Sequence, residues 1–138
     1  MKARVLLSTL LLSLAAMGVR AADAPDKDVA VKAAAAWLQS IDAGNYADSW
    51  SAAAPPFQQA VTASQWAAQL RLVRLPLGQL LSRSLAAAKY YTELPGAPDG
   101  QYWVIQEQAS FENKKSAVET VTMMHVGNTW MPAGYYIR

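Results

Sequence analysis

One histidine, no cysteine and ten carboxylates bound the chemistry open to this 138-residue chain. His125 is the sole imidazole, so an activated serine would need it as base, and no Gly-x-Ser-x-Gly turn presents such a serine. Near a strand end, His125 reads most simply as a partly exposed surface residue. Thiol catalysis is excluded, because no cysteine is present. One imidazole with scattered carboxylates is a poor basis for zinc or copper, so no metal is expected. No cofactor is expected either, because the chain lacks a Walker loop, a Rossmann glycine pattern and an EF-hand loop.

Carboxylates alone can still do acid and base work. Asp42 and Asp48 flank a helix break and read as surface or capping residues. Glu107, Glu112 and Glu119 fall on extended segments or their ends. Any of them entering a pocket would have its pKa raised by burial, but the linear order selects none. Lys114-Lys115 reads as a solvated turn tip. The aromatic side chains, among them Trp50, Trp66, Trp103, Trp130, Tyr46, Tyr90, Tyr91, Tyr102, Tyr135 and Tyr136, are expected mainly to fill a core, with a ligand-lining role as the alternative.

The elements that must position these groups fall into two halves. From Val29, apolar residues at Ala30, Ala33, Ala34, Trp37, Leu38 and Ile41 have helical spacing. Asp26 and Asp28 suit the first turn, and Gly44 the end. A short second helix over Asn45–Trp50, capped by Asn45, is expected to stop at Pro55-Pro56. Thr62-Ala63-Ser64-Gln65 has the form of a capping box before a stripe of Trp66, Leu70, Val73 and Leu77.

From Gln79 the period changes to that of strands, with expected limits Gln79–Glu93, Gln101–Glu112, Ala117–Val126 and Thr129–Ile137. Pro95–Gly100, Asn113–Ser116 and Gly127-Asn128 supply the turns, and short connections allow only antiparallel neighbours. The expected fold class is α+β, with N-terminal helices packed on one face of a curved four-stranded antiparallel sheet, cone-like in outline.

The two-residue turn at Gly127-Asn128 sets the last register: Val126 opposite Thr129, His125 opposite Trp130, Met124 opposite Met131. Strict alternation then gives one face with Val118, Thr120, Thr122, Met124, Met131, Ala133, Tyr135 and Ile137, assigned to the helix-covered core. The other carries Glu119, Val121, Met123, His125, Trp130, Pro132, Gly134 and Tyr136. Its apolar area marks it as a ligand or partner surface centred on Trp130, His125, Met123 and Tyr136.

The N-terminus reads as an address. Lys2 and Arg4 precede the apolar run Val5–Ala16, and Val19-Arg20-Ala21 has the form of a cleavage site. Residues 1–21 are therefore a signal peptide, 22–28 a flexible lead-in and 29–138 a single domain, with the product periplasmic or secreted. The apolar run is too short to span a bilayer, so no membrane anchor is expected. Removing the leader takes three basic residues with it and turns a formal charge of +2 into one near −1, which gives no nucleic-acid signal.

With these residues in view, the chain resembles bacterial exported proteins grouped as domain of unknown function 4019. The likeness is carried by Ala36-Trp37-Leu38, Asp42–Trp50, Gln65-Trp66, Arg74–Gly78, Leu94–Gly100, Phe111–Lys114, Ala117–Thr122 and Trp130–Ile137. The order of elements also resembles the nuclear transport factor 2-like fold, a cone that encloses a pocket in ketosteroid isomerases and polyketide cyclases and serves binding or dimerisation elsewhere. No position matches the catalytic residues of those enzymes. The expectation is a noncatalytic module binding a small apolar ligand or a protein. The alternatives are a pocket enzyme of isomerase or cyclase type using a buried carboxylate with Tyr or His, and a homodimer formed across the open sheet face.

Overall fold

The computed structural model describes residues 24–138; the expected leader over residues 1–21 lies outside them. Helix α1 (Lys27–Asp42) buries Ala30, Ala34, Trp37, Leu38 and Ile41, the stripe expected from their spacing. It starts two residues before Val29, and just ahead of it the Pro25 carbonyl accepts the Trp103 indole N–H at 2.7 Å. At its other end Gly44 takes φ 78°. There the Gly44 N–H reaches the Ile41 carbonyl and the Asn45 N–H the Ser40 carbonyl, the pair of bonds that closes a helix around a left-handed residue.

Helix α2 (Tyr46–Ser51) follows, with Asn45 at its N-cap position but making no side-chain cap bond. It ends at Ser51, short of the expected stop at Pro55-Pro56, and the two prolines instead open helix α3 (Pro55–Ala60). Proline at the first helical positions loses no hydrogen bond and has φ already set. Helix α4 (Ala63–Arg74) carries the expected capping box: the Gln65 N–H donates to Thr62 Oγ1 at 3.2 Å and the Thr62 N–H to Gln65 Oε1 at 3.0 Å. Thr62→Ala should therefore cost about 1 kcal/mol, read as a lower urea midpoint with unchanged slope.

A 3₁₀ turn (Leu75–Leu77) leads into four strands, β1 (Leu80–Tyr91), β2 (Tyr102–Phe111), β3 (Lys114–Val126) and β4 (Thr129–Ile137). They pair in sequence order as one antiparallel, curved and unclosed sheet, confirming the expected α+β class. β3 starts three residues earlier than expected, because Phe111 pairs with Lys114 and leaves only Glu112-Asn113 for the turn. Edge strand β1 has two register shifts, between Leu80 and Ser82 and between Leu85 and Ala87, and an exposed Lys89. Such features discourage pairing with a further strand.

The last hairpin has the expected register, with Val126 opposite Thr129, His125 opposite Trp130 and Met124 opposite Met131. The face assignment is reversed. Trp103, Ile105, Val121, Met123 and Trp130 pack with Trp37, Leu38, Ile41, Trp66 and Leu70 in one core, so the helices cover the Met123 and Trp130 face. Val118, Thr122, Met124 and Met131 lie on the other side and are only half-buried.

Alternation also breaks in β4. Met123 pairs with Pro132 but Thr122 with Gly134, so Ala133 is an extra residue that shifts all that follows. Pro132, which has no N–H for the ladder, sits at this bulge. Beyond it Tyr135 turns inward onto Trp37, at 5.8 Å between rings, and Tyr136 turns outward.

Candidate ligand cleft and its buried ion network

All five indole N–H groups are bonded within the domain. Trp37 donates to the Ser49 carbonyl at 2.8 Å and Trp66 to Ser49 Oγ at 2.9 Å. Trp50 donates to the Val61 carbonyl at 2.8 Å, Trp103 to Pro25, and Trp130 to Asp26 Oδ2 at 3.4 Å. An aromatic ring whose polar edge is already bonded inside the core is a packing residue. The tryptophans thus hold the helices to the sheet, and none lines the cleft at the end of α1.

Of the four residues expected to form one surface, Met123, His125 and Trp130 share the helix-covered face and Tyr136 does not. Met123 is fully buried and Trp130 is 6% exposed. His125 is half-buried with its ring 4.9 Å from that of Trp130. Tyr136, 53% exposed, is on the opposite face.

Below the aromatic core the inner face becomes charged. Arg83 on β1, Glu107 on β2 and Glu119 on β3 share this face with Ala109 and Ala117. The small alanines leave room for a long side chain to lie across the sheet. Arg83 Nε donates to Glu119 Oε1 at 2.7 Å, and its two terminal nitrogens grip the Asp42 carboxylate at the end of α1, at 2.7 and 2.9 Å. From α4, Arg74 donates to Asp42 Oδ1 at 2.7 Å while its guanidinium carbon lies 4.9 Å over the Phe111 ring. Arg74 Nη1 stands 3.9 Å from Glu119 Oε2, the oxygen that accepts the Tyr135 hydroxyl at 2.5 Å. Glu119 is completely buried, and the Asp42 side chain is 20% exposed.

These contacts set the protonation states. Burial opposes charge on Asp42, but the bonds from Arg83 and Arg74 outweigh it and hold the carboxyl below its ordinary value. Burial likewise opposes charge on Arg83, and the Asp42 and Glu119 carboxylates overcome it and keep the guanidinium protonated. Tyr135 is pushed well up by burial and then by the Glu119 charge, so it stays a phenol. Glu107 is raised by burial, with Glu119 adding and Arg83 opposing.

Beside this network lies a cleft of about 610 Å³. The end of α1 walls it with Ile41, Asp42, Ala43 and Gly44, and Tyr46, Arg74, Leu75, Gly78, Gln79, Leu80 and Glu112 complete the lining. Glu112 Oε1 accepts the Gln79 N–H at 2.7 Å and so ties the β2–β3 turn to the start of β1. Gly78, at φ 73°, sits close under it: a Cβ there would approach Glu112 Cβ to 3.0 Å. The cleft floor is therefore an ion pair with its charges mutually cancelled, and its rim is part apolar, part backbone.

A family model described as "protein of unknown function (DUF4019)" matches residues 33–135. The chain belongs to the DUF4019 family. No curated protein and no solved structure matches it significantly.

In this DUF4019 chain, Asp42, Glu107 and Glu119 were marked by residue type, and the fold brings them together; Asp48 lies in the first turn of α2, away from the cleft lining. Arg74 and Arg83 were not marked. Arg74 had a signal: it continues the spacing of Trp66 and Leu70, all three buried on α4. Among the described residues no three His, Asp or Glu side chains gather as a metal-binding group, and no helix is long and apolar enough to cross a membrane.

Proposed function

We propose that this chain is a noncatalytic binding module, exported to the periplasm or medium, whose ligand occupies the cleft at the end of α1. The observation that carries this reading is the contrast between an open cleft and a locked set of ionisable groups around it. Asp42 and Glu119 are committed to two guanidiniums, and the Tyr135 hydroxyl is committed to Glu119. A general base must be free to take a proton from its substrate, and neither carboxylate is. The isomerase or cyclase alternative asks for a carboxyl of raised pKa and a free tyrosine in the same cavity. Glu107 has the raised pKa but stands outside the cleft lining.

A nuclear transport factor 2-like cone is consistent with the order of helices and the curved sheet, and belongs to this reading as its fold relationship. The homodimer across the open sheet face gains no support, because that face carries Gln106, Gln108 and Ser110 beside its apolar residues.

Native mass spectrometry of protein purified from its own cells is the test. Ala43, exposed and with ordinary helical φ at the mouth of the cleft, accepts a larger side chain without backbone strain. Wild type should carry a noncovalent adduct that Ala43→Trp lacks. Wild type and variant each appearing only at its own adduct-free mass would refute binding in the cleft.

A further inference from the structure

Two carboxylates, Asp42 and Glu119, share two guanidiniums, Arg74 and Arg83, and a third, the buried Glu107, feels the Arg83 charge without bonding to it. Glu107 is directly opposite Glu119 on the inner face, and it pairs with Leu85, two residues from Arg83 on β1. That diagonal is within reach of a long side chain. The charged groups that act on Glu107 are Arg83 from β1 and Glu119 from β3; Tyr135 from β4 and Arg74 from α4 bear on Glu119, and Asp42 from α1 on Arg83. With Glu107 neutral the charges balance. With Glu107 ionised the group is one cation short, and two carboxylates face each other across a ladder rung.

We propose that Glu107 is the trigger of a proton-controlled clasp: on losing its proton it draws the Arg83 guanidinium off Asp42 and releases the end of α1 that walls the cleft. Arg83 is the movable member. Its Nε bond to Glu119 runs between two strands of one sheet, whereas its grip on Asp42 joins the sheet to a helix. Arg74 stays on Asp42 and over Phe111, and the apolar stripe of α1 stays in the core, so release loosens only the last turn of α1. The link to ligand uptake rests on the cleft being the binding site; the clasp itself is read without a ligand.

The pH window follows from the two carboxyls. Burial holds Glu107 above its ordinary value of 4.5, so its contribution to stability is full below that value and is lost as pH rises through the folded one. Asp42, held below 3.8, contributes above its ordinary value and is lost only in stronger acid. The closed clasp belongs to mildly acidic solution.

Amide hydrogen exchange of the purified protein tests this at Ala43, Gly44 and Asn45, whose N–H groups bond to Gln39, Ile41 and Ser40. Expressed as protection factors, exchange there should become about tenfold less protected between about pH 4 and pH 8 in wild type and stay constant in Glu107→Gln. Wild-type protection indifferent to pH, or Glu107→Gln following wild type, would overturn the proposal. Should Glu107→Gln fail to fold, Arg83→Lys keeps the charge but loses the fork. It should show the low protection at both pH values, and wild-type behaviour from it would equally overturn the clasp. Opening that depends on pH, together with native spectra that show no adduct on wild type, would leave the clasp standing and remove only the binding function.

Discussion

Replacing Glu119 with alanine should cost about 3–5 kcal/mol, the range for breaking a buried ion pair by removing one partner. The carboxylate is completely buried and receives Arg83 Nε at 2.7 Å and the Tyr135 hydroxyl at 2.5 Å. Its loss leaves Arg83 Nε and the Tyr135 hydroxyl without their partner beneath the helices, while Arg83, only 12% exposed, keeps Asp42 as its one remaining carboxylate. Arg74, whose Nη1 has no hydrogen-bond partner, also loses the second of its two countercharges and keeps only Asp42. Small domains hold only about 5–15 kcal/mol in all, so the variant should show a large fall in urea midpoint and a lower Tm. A change under about 1 kcal/mol would mean that water already reaches this network.

The second large effect is Trp66→Ala, expected to cost about 3–5 kcal/mol through a core cavity. Trp66 ties together more elements than a helix residue usually does. Its ring stacks on Trp37 of α1 at 6.2 Å, meets Phe57 of α3 edge-on at 4.9 Å and Tyr135 of β4 at 6.3 Å. Its indole N–H holds Ser49 Oγ of α2 at 2.9 Å. Trp66→Phe should recover most of the packing and leave Ser49 Oγ without its donor, at a cost nearer 1–3 kcal/mol. The difference between the two variants, read from denaturant midpoints, separates the cavity from the hydrogen bond.

What could be read from the chain beforehand was whatever a few neighbouring residues decide. The Thr62–Gln65 capping box, the left-handed Gly44 and the Gly127-Asn128 hairpin register each depend on local bonds, and each stands in the structure. The helix-then-strand order gave the α+β class for the same reason. The face of the sheet was assigned the wrong way round, because β3 and β4 are apolar on both sides and alternation there has no polar side to choose.

The deciding signal sat one strand away. In β2, Gln106, Gln108 and Ser110 alternate with Ile105, Glu107, Ala109 and Phe111, and the antiparallel register carries that polarity onto Val121 and Glu119. Pro132 was a second signal, marking where alternation would slip. The ion network was legible only as types, because Asp42, Arg74, Arg83 and Glu119 are brought together by tertiary packing across 32 to 41 residues of chain. Charges at positions whose neighbours on the same face are buried, such as Glu119 beside Val121, are the mark such a network leaves in sequence.

The central claim is that Arg83 fastens the end of α1 to the sheet through Asp42, next to the cleft. A double-mutant cycle with Asp42→Asn, Arg83→Gln and the pair, measured by denaturant unfolding near pH 5, tests it most directly. The account predicts a coupling energy of about 1 kcal/mol or more, within the range for contacting charged residues. Costs that simply add would contradict it, and the end of α1 would then be held by its apolar stripe and Arg74 without help from Arg83.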